Sequence, residues 1–109
     1  MTAIQEIIDL LIRFRNERNW EQFHNSKDLA LALSIEAAEL NELFLWKSPE
    51  DVDVDKLKEE LADVFIYAFL LAWKHDLDVK DIVVNKIKLN ETKYPSKKAK
   101  NSAKKYTEL

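Results

Sequence analysis

Glycine and cysteine are both absent from the 109 residues, and proline occurs only twice. Without cysteine there are no disulfides, no thiolate metal sites and no cysteine nucleophile. Without glycine there is no glycine-rich phosphate loop and no dinucleotide fingerprint, since both need tight turns and close approach of the backbone to phosphate. A chain of this composition that handles phosphates must do so with side chains and metal ions. Long hydrophobic runs are missing too. The longest, Leu61 to Trp73, has 13 residues and contains Asp63, whereas a bilayer span needs about 20. Gln5, Glu6 and Asp9 interrupt the first apolar stretch, so it does not read as a secretory signal, and the expected location is cytoplasmic.

Hydrophobic residues make up 47% of the chain and charged residues 34%, enough for one folded domain and too polar for lipid. The net charge of −3 conceals a division. Residues 1–85 carry 9 Lys/Arg against 18 Asp/Glu, and residues 86–109 carry 8 Lys against 2 Glu. Three readings of the basic end stand side by side: a solvated tail, a nucleic-acid contact, and a segment whose beginning reaches anionic phosphates. The acidic folded part and the scarcity of aromatics in the tail disfavour nucleic acid.

Hydrophobic periodicity predicts an all-α fold of four helices with short connections, and no stretch alternates as a half-buried strand does. The first helix covers residues 2–18, with Ile4, Ile7, Ile8, Leu11, Ile12 and Phe14 close to one face. The second begins at an N-cap on Ser26 and runs to Trp46 or Lys47, where Ser48-Pro49 stops it. The third is capped by Asp53 or Asp55 and runs to His75. The fourth is capped by Asp78 and ends before Pro95. Leu29, Leu33, Leu40 and Leu43 form one face of the second helix, while Leu31, Ile35 and Leu45 lie on the other. The third helix is apolar all round between Leu61 and Trp73. A chain this short cannot bury so much by itself, so self-association as a homodimer or homotetramer is expected.

Against this pattern four carboxylates stand out. Glu36 and Glu39 share a face that overlaps the leucine stripe of the second helix. Glu60 and Asp63 repeat the arrangement on the third, beside Tyr67. Like charges three residues apart cost a few tenths of a kcal/mol even in water, and partial burial costs roughly several kcal/mol per ion without compensation. Neither Lys56 nor Lys58 can pair with Asp63 along the helix. Glu42 and Glu59 read as ordinary solvated residues. Four acids converging between two packed helices suit a hard cation held by oxygen, Mg²⁺ or else Mn²⁺, rather than zinc or copper. A di-iron reading fails because Glu21-Gln22-Phe23-His24 is the only Glu-x-x-His match, whereas that chemistry needs two.

Glu36-x-x-Glu39 followed by Glu60-x-x-Asp63 resembles the MazG-type all-α nucleoside triphosphate pyrophosphohydrolases, and more closely their small dCTP pyrophosphatase-like branch. Trp20-Glu21-Gln22-Phe23-His24, Glu42-Leu43-Phe44-Leu45-Trp46-Lys47, Asp63-Val64-Phe65-Ile66-Tyr67 and Asn90-Glu91-Thr92-Lys93-Tyr94-Pro95 resemble the same branch. Where members of the family carry glycines around the first acidic pair, this chain has Ile35 and Ala38, which implies closer helix packing and makes substrate preference less transferable.

The resemblance implies a homo-oligomeric four-helix bundle that hydrolyses a (deoxy)nucleoside triphosphate to the monophosphate and pyrophosphate, a house-cleaning activity on a dCTP-like or modified nucleotide. It assigns Glu36, Glu39, Glu60 and Asp63 to Mg²⁺, with Glu39 as the candidate base for the attacking water. Trp20, Phe23, His24 and Trp46 are candidates to hold the base, and Tyr67 to stack on the sugar. Lys47, Lys93 and Tyr94 are candidates for phosphate, and Asn90 for sugar or phosphate. Residues 1–95 are expected to form the pyrophosphohydrolase domain and residues 96–109 a lysine-rich, largely flexible tail. The alternative is a non-enzymatic dimeric helical module whose acids are incidental and whose basic tail meets a partner.

Overall fold

The computed structural model describes residues 2–109, which form helices joined by short turns and irregular segments, with no strand among them. Helix α1 spans Ala3–Glu17, α2 Ser26–Glu42, α3 Val54–Lys74, α4 Val79–Lys93 and the short α5 Ser96–Ala99. Single 3₁₀ turns occupy Trp20–Phe23, Pro49–Asp51 and Tyr106–Glu108. None of these helices is long and apolar enough to cross a membrane.

The helix starts follow from local chemistry. Thr2 and Gln5 form a capping box, each side chain accepting from the other's backbone N–H at 3.2 Å. Asp53 caps α3 by accepting from the N–H groups of Asp55 and Lys56, and Asp78 caps α4 by accepting from that of Asp81. The second helix differs from the sequence expectation at both ends. Its cap is Asn25, whose Oδ1 accepts from Asp28 N at 2.9 Å, so Ser26 is already helical. At the other end α2 stops at Glu42. Residues 43–45 then turn through i to i−3 hydrogen bonds, a tightening by which a helix satisfies its last carbonyls. The leucines and phenylalanine of that stretch continue a helical pattern in sequence, but the backbone has already left the helix.

A chain without glycine must place other residues where φ is positive. Asn19, Asp76 and Asn101 take three such positions, and short polar side chains tolerate them. The fourth is Trp46, at φ 60°. A bulky residue there is strained, at a cost of about 1 kcal/mol or more, and strain of this kind gathers at functional sites.

The chain divides into two compact units, Met1–Leu77 and Asp78–Leu109. In the first, α2 and α3 form the main packed pair and α1 lies against α3. Its core is small: Leu29, 2% exposed, with Leu70, Ala72 and Ile8. Leu31, Ile35, Leu45, Leu61 and Phe65 stay exposed on this unit, an apolar surface that the single chain leaves uncovered. In the second unit Tyr94 and Tyr106 meet edge to face with ring centroids 5.9 Å apart, and Lys93 Nζ lies 4.9 Å from the Tyr106 ring centroid.

Candidate functional site

Helical spacing places Glu36 and Glu39 on one face of α2 and Glu60 and Asp63 on one face of α3, and the packing of the two helices turns these faces together. Glu36, Glu60 and Asp63, all half-buried, each offer a carboxylate oxygen within 4.8 Å of the others. Glu39 is exposed and lies outside that tight group, although its carboxyl is close enough to act on both Glu36 and Glu60.

The electrostatics are those of acids without a counter-charge. Burial, reinforced by the hydrogen bond and charge of Glu39 and by the charges of Asp63 and Glu60, pushes the Glu36 carboxyl from its ordinary 4.5 up to about 7. Burial first, then Glu39 and Asp63, raises Glu60 as well. The Tyr67 phenol is raised by burial and by the charges of Glu36, Asp63 and Glu39. One oxygen of Glu36 and one of Glu60 are buried with no hydrogen-bond partner. Oxygens in that state need either a proton or a cation. Three converging carboxylates with two orphaned oxygens fit a hard divalent cation.

Asp63 also lines a cavity of about 640 Å³ in the same unit, together with Ile7, Leu10, Leu11, Phe14, Arg15, Trp20, His24, Ile66, Tyr67 and Leu70. Its wall is mostly apolar, with a few polar groups converging on it, as small-molecule pockets are built. Trp20 meets Phe14 edge to face with ring centroids 5.7 Å apart. The His24 imidazole is held below its usual pKa by burial and then by the positive charge of Arg15, and its Nδ1 is buried without a partner.

Of the candidates singled out in the sequence, Trp20, His24, Tyr67 and Asp63 therefore share one cavity, and Asp63 joins it to the carboxylates. Phe23 is exposed and does not line it. Trp46 is 94% exposed and borders a separate shallow depression with Asn41, Glu42, Phe44 and Leu45. Lys47 is exposed on the turn after Trp46. Asn90, Lys93 and Tyr94 are half-buried in the second unit.

Arg15 is the cavity residue that sequence reasoning passed over. The signal was present: Ile4, Ile8, Leu11 and Arg15 follow at spacings of four, three and four, so a charge sits on an apolar helix face. The same anomaly singled out Asp63.

Fold and site together define an all-helical protein with a cluster of carboxylates beside an apolar, aromatic-lined pocket. Residues 31–109 match the MazG-like family. The human and mouse proteins named dCTP pyrophosphatase 1 are each 40% identical to this chain over 98% of its length and 68% of theirs. The crystal structure of a pyrophosphatase from Archaeoglobus fulgidus is similar with a TM-score of 0.79 at 35% identity, covering 87% of this chain and 94% of that one. This chain belongs to the MazG-like family.

Proposed function

We propose that this chain is a nucleoside triphosphate pyrophosphohydrolase that cleaves a cytosine-type or modified deoxynucleoside triphosphate between the α- and β-phosphorus, releasing the monophosphate and pyrophosphate. The observation that carries the reading is that Asp63 belongs to two structures at once, the carboxylate cluster and the aromatic cavity. A base seated in the cavity therefore has its phosphates directed at the acids. The names of the relatives, dCTP pyrophosphatase 1, support a cytosine nucleotide.

Glu36, Glu60 and Asp63 would hold Mg²⁺, with Glu39 completing the set from its exposed side. Divalent ions in this place supply the positive charge that a triphosphate demands and lower the pKa of an attacking water. Trp20 and His24 line the pocket for the base and Tyr67 stacks on the sugar. Glu39, the least buried acid, takes the proton as water oxygen adds to the α-phosphorus and pyrophosphate departs. The exposed Leu31, Ile35, Leu45 and Phe65 support a homo-oligomer. In such an assembly Trp46, strained in backbone and outside the cavity lining of its own chain, is the candidate for a base contact contributed by a second copy. On the family resemblance alone, Lys47, Lys93 and Tyr94 stay candidates for phosphate and Asn90 for sugar or phosphate. The chemistry is assigned to residues 1–95, and the lysine-rich segment 96–109 lies outside it. The setting is the cytoplasm.

Pyrophosphate release from a panel of dNTPs with Mg²⁺ and with Mn²⁺ tests this. Release that disappears with EDTA and with Glu39→Gln supports it. Release of inorganic phosphate and a diphosphate instead contradicts attack at the α-phosphorus. Silence across the panel leaves the exposed apolar face as the main feature and favours a helical interaction module.

A further inference from the structure

Arg15 is not among the clustered carboxylates, yet its guanidinium side chain is the buried charge among the described residues, at 4% exposed. Its surroundings hold it still without satisfying it. The plane lies over the Trp73 ring, 4.8 Å from the centroid. Nε and Nη2 both donate to Asn16 Oδ1, at 3.2 and 2.9 Å, which uses the side-on edge of the fork. The other edge, Nη1 with the second hydrogen of Nη2, has no hydrogen-bond partner among the described residues beyond a loose 3.9 Å approach of the exposed Glu21 carboxylate to Nη2. No Arg15 nitrogen is among the buried atoms left without a partner, so this free edge is not sealed from water, and Arg15 lines the cavity.

We propose that Arg15 determines base specificity: its unpaired guanidinium edge donates to the two adjacent acceptors, O2 and N3, of a cytosine-type ring in the cavity. This rests on the pyrophosphohydrolase reading above. Two neighbouring in-plane acceptors are what a rigid two-donor fork matches. Uracil and thymine interrupt that pair with N3–H, and adenine lacks it. Guanine offers such a pair at O6 and N7. Cytosine alone carries an exocyclic amine donor immediately beyond the pair, and His24 supplies the acceptor for it. Burial and the neighbouring Arg15 charge favour the neutral imidazole, which keeps one ring nitrogen as an acceptor, and Nδ1 is buried without any other partner.

The test is a cycle that alters the protein and the base separately, using dCTP and 3-deaza-dCTP, whose N3 acceptor is replaced by C–H, with the wild-type chain, Arg15→Met and Arg15→Lys. Wild type is expected to prefer dCTP by about 10- to 100-fold in kcat/KM, the range for one good bidentate contact. Arg15→Met is expected to treat the two alike, and Arg15→Lys to recover only part of the preference because it keeps the charge and loses the fork. Calorimetric binding of dCMP and 3-deaza-dCMP in EDTA is expected to show the same preference and the same loss without any turnover. A wild-type chain that uses both nucleotides equally overturns the proposal whether or not the variants fold. So does Arg15→Met lowering both by one common factor, which marks a purely structural arginine. No pyrophosphate from any dNTP, together with a retained dCMP preference, defeats the enzymatic reading and leaves Arg15 as a base reader.

Discussion

Replacing Glu36 by glutamine removes a charge that the apo protein has difficulty accommodating, so at neutral pH the metal-free variant should be more stable than the wild type. The size follows from the site. Holding a carboxyl at about 7 in place of its ordinary 4.5 disfavours the ionised native state by at most about 3 kcal/mol. Glu36 retains partial access to water, which screens part of this and leaves roughly 1–2 kcal/mol. The sign is set by the upward displacement: the native protein binds the proton more tightly than the unfolded chain. Stability from this group is complete below about pH 4.5 and is lost as the pH rises through about 7. Thermal melts in EDTA at pH 5 and pH 8 should therefore show little difference between Glu36→Gln and wild type at the lower pH. At the higher pH the variant should lead by about 5–10 °C. Adding Mg²⁺ or Mn²⁺ at pH 8 should reverse the order, because the cation stabilises the full set of carboxylates and glutamine removes one of them. A variant that melts below the wild type at pH 8 in EDTA would refute the argument that the burial of the Glu36 charge, and its repulsion by the other acids, are uncompensated. A difference independent of pH would do the same.

Three further predictions follow the same reasoning. Asp63→Asn should abolish metal-dependent pyrophosphate release while leaving the melt in EDTA unchanged or higher, and a large loss of stability there would make Asp63 a structural residue. Trp46→Ala should raise KM for the preferred dNTP at least about tenfold, the low end of a lost stacking contact, and leave KM for inorganic tripolyphosphate nearly unchanged. Equal effects on both would remove Trp46 from base binding. Ile35→Lys, on the exposed apolar face, should lower the mass measured by light scattering toward 12.8 kDa. An unchanged mass would exclude that face as the interface.

The two long carboxylate helices show how far the chain is legible. Three-residue spacing placed Glu36 with Glu39 and Glu60 with Asp63, because helical periodicity is a property of one helix. Asp78 was readable as a cap and Asp53 as one of two candidates with Asp55, because capping is decided within four residues. The end of α2 was not, since Leu43, Phe44 and Leu45 keep the helical pattern while the backbone turns away. The choice of Asn25 over Ser26 as cap was equally out of reach, because both residues suit the position.

By itself, then, the sequence determined the helices, the faces on which the acids lie and the exclusion of glycine-loop and thiolate chemistry, all of which depend on neighbours along the chain. Only the tertiary structure decided that Glu36, Glu60 and Asp63 converge with Glu39 at their edge, that Trp20 and His24 share a cavity from which Phe23 and Trp46 stand apart, and that Arg15 lines its wall. Distances between side chains on different helices are set by how the helices pack, and local periodicity carries no information about that.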